Sequence, residues 1–294
     1  PDDLTDAERA LLRVYDACDH LEDNPPRARE IAEEALAIDS GCPDALVLLW
    51  ELADEASDAA LRPAREAQQS AEERIEQLPH WRRGIDDLYQ HSPSTRGLVR
   101  AHSALALTLW ARGEHYDAIG MAERVIALNP MDNTGMRWHL AQWYLIEDAV
   151  GKAYRLLRDY HGEQIGPSLS AAAMVEFLRS GPGKDARKAL LRFAEHNCGL
   201  LLMATRDERP DPWPGGVGMF VPGEVSEMAA WQRLLHDAWH AHPEALAYAA
   251  ERMREPRFIE MTVGAMAGPA GLLAGAGGAS AIEDLLDEID PRGL

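Results

Sequence analysis

The sequence has few cysteines, and we expect no secretory signal. Its three cysteines, Cys18, Cys42 and Cys198, are odd in number and lie far apart, which argues against a disulfide framework and a Cys-x-x-Cys pair. The amino-terminal residues PDDLTDAERALL contain neither a basic leader nor a long apolar core. Together these absences indicate a reducing compartment, and we expect the protein in the cytoplasm.

Positive charge is also scarce. The chain has 29 lysine and arginine residues against 49 aspartate and glutamate residues, so its formal net charge is −20 at pH 7. Such a surface repels phosphate backbones and anionic lipid headgroups, so we expect neither nucleic acid nor a membrane as partner. A basic protein segment would instead be attracted, although acidity also serves solubility.

One uncharged stretch, Met261 to Ile282, is about long enough to span a bilayer. It contains six glycines and Pro269, which make it a poor continuous helix and a weakly apolar one. We therefore expect a flexible or small-residue packing segment there rather than a membrane span.

The hydrophobic fraction, 46%, is enough for a sizeable core, and its spacing is helical. Between Val99 and Leu128, apolar residues recur at three- and four-residue steps in two successive runs. Gly113 ends the first run and Pro130 follows the second, which brackets a pair of helices.

The pair recurs along the chain. A small residue is required where the second helix crosses the first, and such residues recur along the chain at spacings of 36, 54, 35 and 33 residues. Three of these four spacings match a 34-residue repeat, and the fourth is one period plus about twenty residues. The small residues are Ala28, Ala64, Ala118, Ala153 and Ala186.

The stretch ARGEHYDAIGMAERVIALNPMDN resembles the second half of a tetratricopeptide repeat, and Leu-Ala pairs at 52–53, 105–106 and 140–141 match the preceding helix. ALNPMDNTGMRWHLAQWYL is similar to a group of bacterial repeat proteins of undefined biochemical role, which share an Asn-Pro-x-Asp-Asn-x-Gly hinge. The resemblance covers about residues 27–197. It implies an all-α superhelix of helical hairpins, in which Asp132 and Asn133 are suited to cap the helix after the hinge.

The repeat spacing also predicts the domain organisation. We expect about five helix pairs in residues 1–197 and an irregular Pro- and Gly-rich connection at 198–224. A helical hairpin at 225–256 would cover the end of the stack, which otherwise leaves an apolar face in water. A Gly/Ala-rich segment and an acidic C-terminal helix are expected in 257–294.

The first helix of each pair is expected to line the groove of such a superhelix. When the Leu-Ala pairs are placed at repeat positions seven and eight, the inward positions are aromatic with scattered polar groups. Tryptophans are frequent binding anchors and equally ordinary core residues. The predicted partner-binding groove comprises Trp50, Arg100, Trp110, Trp138 and Gln142.

These features favour a non-catalytic scaffold that binds a protein or peptide, basic and with apolar anchors, and that needs no cofactor. The Lys and Asn set with which similar proteins clamp the C-terminal carboxylate of chaperone tails is not reproduced. No Gly-x-Ser-x-Gly elbow is present, and none of the cysteines has a recognisable catalytic context.

Two alternatives stay open. The stretch HDAWHAH places His236 and His240 on one helix face with His242 just beyond, a spacing that zinc accepts. An enzyme or metal site could therefore lie between these histidines and the 198–224 segment, although histidines at a helix C-terminus also suit the helix dipole. The second alternative is a small ligand bound in the groove.

Overall fold

The computed structural model describes residues 4–77, 93–212 and 220–267, and all regular secondary structure within these ranges is helical. The all-α prediction is thus confirmed. The helices are α1 (Asp6–Cys18), α2 (Pro25–Ile38), α3 (Pro43–Glu51), α4 (Asp58–Glu76), α5 (Pro93–Ala111), α6 (His115–Leu128), α7 (Met136–Ile146), α8 (Val150–Asp159), α9 (Gly166–Ser180), α10 (Lys184–Thr205), α11 (Val225–His240), α12 (Pro243–Met253) and α13 (Pro256–Ala267).

Consecutive helices pack as hairpins. α1 packs on α2, α3 on α4, α5 on α6, α9 on α10 and α11 on α12. α7 and α8 are joined by a tight turn in which Asp148 has a φ of 53° and the N–H of Ala149 donates to Tyr144 O. α11 and α12 both pack on α9 and α10, so the expected C-terminal hairpin covers the last pair.

The alanines that set the repeat spacing all lie on the second helix of a pair. Each is at most 2% exposed, because a side chain that ends at Cβ lets two helix backbones approach closely. Of the matching Leu-Ala pairs, those at 105–106 and 140–141 are buried within α5 and α7. The alanines are Ala28, Ala64, Ala118, Ala153 and Ala186.

The Leu52-Ala53 pair is different, because α3 ends at Glu51 and Leu52 is its C-cap. α3 is thus only nine residues long. The next helix, α4, follows closely, and Ser57 caps its start by accepting a hydrogen bond from the Ala60 N–H. The expected match of this pair to a helix interior is therefore wrong.

The chain divides into two compact units, unit 1 (residues 1–137) and unit 2 (residues 138–294). The hinge that precedes α7 lies just before this boundary. Asp132 adopts a φ of 46° and accepts hydrogen bonds from the Met136 N–H (3.0 Å) and the Arg137 N–H (2.7 Å), as expected of a cap. Asn133 instead donates its side-chain amide to Asn129 Oδ1 at 3.3 Å.

The connection expected at 198–224 begins later than predicted. α10 continues to Thr205, and only Asn197 has non-helical backbone angles (φ −153°, ψ 88°). The helix restarts there because Asn197 Oδ1 accepts the N–H of Leu200 at 3.0 Å, in the manner of an N-cap. Residues 206–212 are irregular, and residues 213–219 lie outside the described ranges.

The region 257–294, expected to contain a Gly/Ala-rich segment and an acidic C-terminal helix, begins with a helix, α13, which packs on α10. Phe258 is fully buried, and Cys198 Sγ lies 3.1 Å from Thr262 Oγ1. None of the described helices combines the length and the apolar character needed to cross a bilayer. The predicted acidic C-terminal helix lies outside the described ranges. So do residues 78–92, which make up most of the extra residues, 76–95, expected between Ala64 and Ala118.

Candidate functional site

Three aromatic rings of unit 2 meet nearly at right angles. The ring centroids of Trp138 and Phe220 are 5.8 Å apart at 68°, those of Trp138 and Trp231 are 6.0 Å apart at 88°, and those of Phe220 and Trp231 are 6.0 Å apart at 89°. Trp231 is 4% exposed, whereas Trp138 and Phe220 are half-buried. This set, which we term the aromatic corner, therefore extends from the core of unit 2 to its surface.

The corner combines residues that are distant in sequence. Trp138 belongs to the first turn of α7 and Trp231 to the second turn of α11, while Phe220 precedes α11. Phe220 is held near that helix because the next backbone N–H, that of Val221, donates to Ser226 Oγ at 2.9 Å. The position of α11 within unit 2 thus decides whether the corner forms.

A buried carboxylate fixes the start of α11. Glu227 has no exposed surface, and Oε1 accepts the backbone N–H of Gly166 at 2.7 Å. Oε2 accepts the N–H of Gly223 at 3.0 Å and the side-chain amide of Asn197 at 2.9 Å, and His196 Nε2 lies 3.0 Å away. A buried charge is tolerable only when it is so fully hydrogen-bonded, and here one side chain joins α9, α10 and the approach to α11.

Gly166 is required at this junction for steric reasons. A Cβ at this position would lie 2.5 Å from Leu200 Cδ2 and 2.9 Å from Glu227 Cδ, closer than real contacts allow. The absence of a side chain lets the start of α9 approach the Glu227 carboxylate closely enough to donate its N–H.

A second carboxylate lies at the edge of the corner. Trp138 Nε1 donates to Glu163 Oε2 at 3.2 Å, and Ser168 Oγ donates to the same oxygen at 2.6 Å. The hydrogen bond from the indole orients the Trp138 ring and places negative charge at its polar end. One turn further along α7, Gln142 is fully buried and donates to Pro167 O at 2.8 Å.

His139 adjoins the corner, with its ring centroid 4.7 Å from that of Trp231 and 5.9 Å from that of Trp143. Burial among these rings lowers the pKa of His139 to about 4, because the imidazolium form loses its hydration there. At neutral pH this histidine therefore contributes an uncharged aromatic ring.

The structure gives each predicted groove residue of unit 1 a partner within that unit. Trp50 Nε1 donates to Thr108 Oγ1 at 2.7 Å, Arg100 pairs with Asp44, and Trp110 stacks on His115 at 3.9 Å. All three remain half-buried. In unit 2, Trp138 joins the aromatic corner, whereas Gln142 lies in the protein interior.

Four residues of the site, Phe220, Trp231, His139 and Glu227, were not predicted from the sequence. The repeat spacing could not have found the first two, because it ends at residue 197 and assigns no inward positions beyond. A signal for Glu227 was present, since it lies four residues before Trp231 on the apolar face of α11, which makes it a candidate buried charge. His139 could have been noted because it lies four residues before Trp143.

Two of the three histidines proposed as metal ligands lie against each other, and the third has a different partner. The rings of His236 and His240 stack at 3.9 Å, and His240 Nε2 contacts Arg206 O at 2.9 Å. His242 Nε2 contacts Leu145 O at 2.7 Å. Within the described ranges, no group of three or more histidine, cysteine, aspartate or glutamate side chains has the arrangement to hold a metal ion.

Comparison of the chain with protein-family models, curated proteins and solved structures found no significant match.

Proposed function

We propose that the chain is a non-catalytic, tetratricopeptide-like scaffold that binds a protein or peptide segment, and that the aromatic corner anchors the partner. The observation that carries this proposal is the corner itself, three perpendicular rings of which two are half-buried. Tryptophan and phenylalanine offer a large contact area at low entropic cost, and binding energy concentrates on such residues.

The chemistry of the thiols supports a binding role. All three cysteines are free, and desolvation is the largest cause of the raised pKa of Cys18, Cys42 and Cys198. Since the thiolate is the reactive form, none of these cysteines is poised as a nucleophile at neutral pH. Free thiols also support our proposal of a cytoplasmic location.

The direct test is selection from a random peptide library displayed on phage, with unrelated proteins as counter-selection. Selected peptides should bind the intact chain, and Phe220→Ala or Trp138→Ala should weaken binding about thirtyfold, which corresponds to about 2 kcal/mol. Tyr116→Ala is the matched control, because Tyr116 is 90% exposed in unit 1.

Thermal unfolding of each variant shows whether a loss of binding merely reflects a loss of structure. Cooperative unfolding together with weakened binding supports the proposal. Selection that enriches no binder, or binders indifferent to both corner substitutions, would refute it.

A further inference from the structure

We infer that the aromatic corner receives the alkylammonium group of a lysine side chain on the partner. This inference rests on the proposed function and specifies which chemical group the corner recognises. An aromatic ring attracts a cation through the negative electrostatic potential of its face, over distances up to about 6 Å from the centroid.

The ring geometry permits several rings to act on one charge. The centroids of Trp138, Phe220 and Trp231 are at most 6.0 Å apart, so a single point can lie within cation–π range of all three. Since Trp231 is only 4% exposed, the cation would contact the half-buried rings of Trp138 and Phe220, whose planes are 68° apart, and Trp231 would act on it from the core. A flat stack of three rings would offer only its outer faces.

The electrostatic surroundings favour a cation. The Trp138 N–H donates to the Glu163 carboxylate, which increases the electron density of the indole ring and adds negative charge at the edge of the corner. His139 brings no opposing positive charge at neutral pH, since burial lowers its pKa to about 4. The net charge of the chain, −20, draws a basic segment toward it.

Other side chains suit the corner less well. A carboxylate or phosphate would meet the negative faces of the rings and the Glu163 charge, both of which repel it. An uncharged alkyl group would bury the same area but gain no cation–π energy. The comparison of a cation with a neutral group of the same shape therefore isolates the cation–π contribution, on which the inference depends.

The probes are tetramethylammonium and the uncharged neopentyl alcohol, which has a similar size. Their binding to the full chain is followed by NMR through the indole N–H signals of Trp138 and Trp231, assigned with Trp138→Phe and Trp231→Phe. We expect tetramethylammonium to bind about tenfold more tightly than neopentyl alcohol. Equal affinity, or no shift of either indole signal, would overturn the inference.

Substitutions sharpen the test. Phe220→Leu keeps an apolar side chain but removes one ring face, so it should weaken tetramethylammonium severalfold while leaving neopentyl alcohol nearly unchanged. Phe177→Leu is the control, because Phe177 stacks on Tyr248 rather than on the corner. Glu163→Gln should weaken the cation about threefold, and an equal loss for both probes would contradict the electrostatic account.

Peptides separate this inference from the proposed function. In a selected peptide, exchange of lysine for norleucine should weaken binding about tenfold, whereas trimethylation of the lysine should preserve or strengthen it. Binding that depends on Phe220 but tolerates norleucine would overturn the lysine inference and leave the scaffold proposal intact. Binding of tetramethylammonium without any peptide binder would refute the scaffold and, with it, a lysine of a partner as the ligand.

Discussion

Both units consist of packed helix pairs, but they differ in the charge and in the side chains that form these pairs. Unit 1 contains 27 acidic residues, 14 arginines and no lysine, for a net charge of −13, whereas unit 2 contains 22 acidic and 15 basic residues, for −7. Among the described residues, the four aromatic members of the set of largest fully buried side chains all belong to unit 2; they are Trp143, Trp239, Phe193 and Phe258. Unit 1 places alanines between its helices and arginine–carboxylate pairs at their margins.

These ion pairs join different helices of unit 1. In the pair between Arg74 and Asp39, one guanidinium nitrogen lies 2.7 Å and 2.8 Å from the two carboxylate oxygens. Most of the others are more exposed and are expected to contribute less than about 1 kcal/mol each. They are Arg13–Glu34, Arg100–Asp44, Arg112–Asp58 and Arg124–Glu72.

The contrast concerns where charge is placed. Both units carry partly exposed ion pairs, but their buried carboxylates differ in what they hold together. In unit 1, the buried Asp132 accepts backbone hydrogen bonds from residues four and five positions later, so it acts locally. In unit 2, the fully buried Glu227 accepts hydrogen bonds from residues 61 and 30 positions away, so several elements depend on it. A buried charge with a complete set of donors is costly to remove, because its partners are then left unpaired. The units should therefore respond very differently to substitution.

The largest effect is expected at Glu227. Glu227→Gln places an NH₂ group against backbone and side-chain donors, so we expect unit 2 to lose about 3 kcal/mol of unfolding free energy. Urea unfolding followed by tryptophan fluorescence measures this loss. The control is Glu260→Gln at an exposed position of α13. A change below about 1 kcal/mol at Glu227 would remove the distinction between the units.

The next effect concerns pH and His139. The folded pKa of about 4 lies below the usual 6.5, so the unfolded chain takes up a proton first as the pH falls. The stability that the folded chain gains from uncharged His139 is fully present above about pH 6.5, declines as the pH falls, and is lost below about pH 4. We expect a loss of about 2–3 kcal/mol across this window.

His139→Phe should remove this contribution to the pH dependence, whereas His161→Asn, at an exposed position, should not. Urea unfolding at several pH values between 4 and 7 provides the comparison. An unchanged pH dependence in His139→Phe would mean that His139 does not titrate differently in the folded chain.

The smallest effect is expected in unit 1. Arg74→Met should cost about 1 kcal/mol, because Arg74 and Asp39 are only partly exposed, 30% and 16%, and Asp39 is left without its guanidinium partner. About 0.5 M salt should reduce the difference from wild type. Arg62→Met is the control, since Arg62 is 83% exposed. A cost near 3 kcal/mol would make unit 1 resemble unit 2.

The fold was more predictable than the site because its signals are local. Alanines recur at a fixed period where helices cross, and the Asp132 cap acts on N–H groups four and five residues away. Asn197 was mistaken for a helix end because its backbone does leave the helix, but its side chain starts the helix again. The aromatic corner joins residues 138, 220 and 231, and no local spacing relates them.

The predicted groove illustrates the same limit. Position counting from the Leu-Ala pairs found Trp138, which lies in the corner, and also Gln142, which is buried and bonded to Pro167. Counting repeat positions predicts which face of one helix a side chain lies on. Whether that side chain is exposed depends on all the helices that pack against that face. The register at Trp50 rests on a pair that lies beyond the end of α3.

Hydrogen exchange followed by mass spectrometry, with and without a selected peptide, tests the central claim most directly, because it reports both units in one measurement. We predict slower exchange at the start of α7 and in residues 220–231 of unit 2, with this protection lost in Phe220→Ala. Protection confined to unit 1, around Trp50, Arg100 and Trp110, with none near Trp231, would contradict the account and assign binding to the other unit.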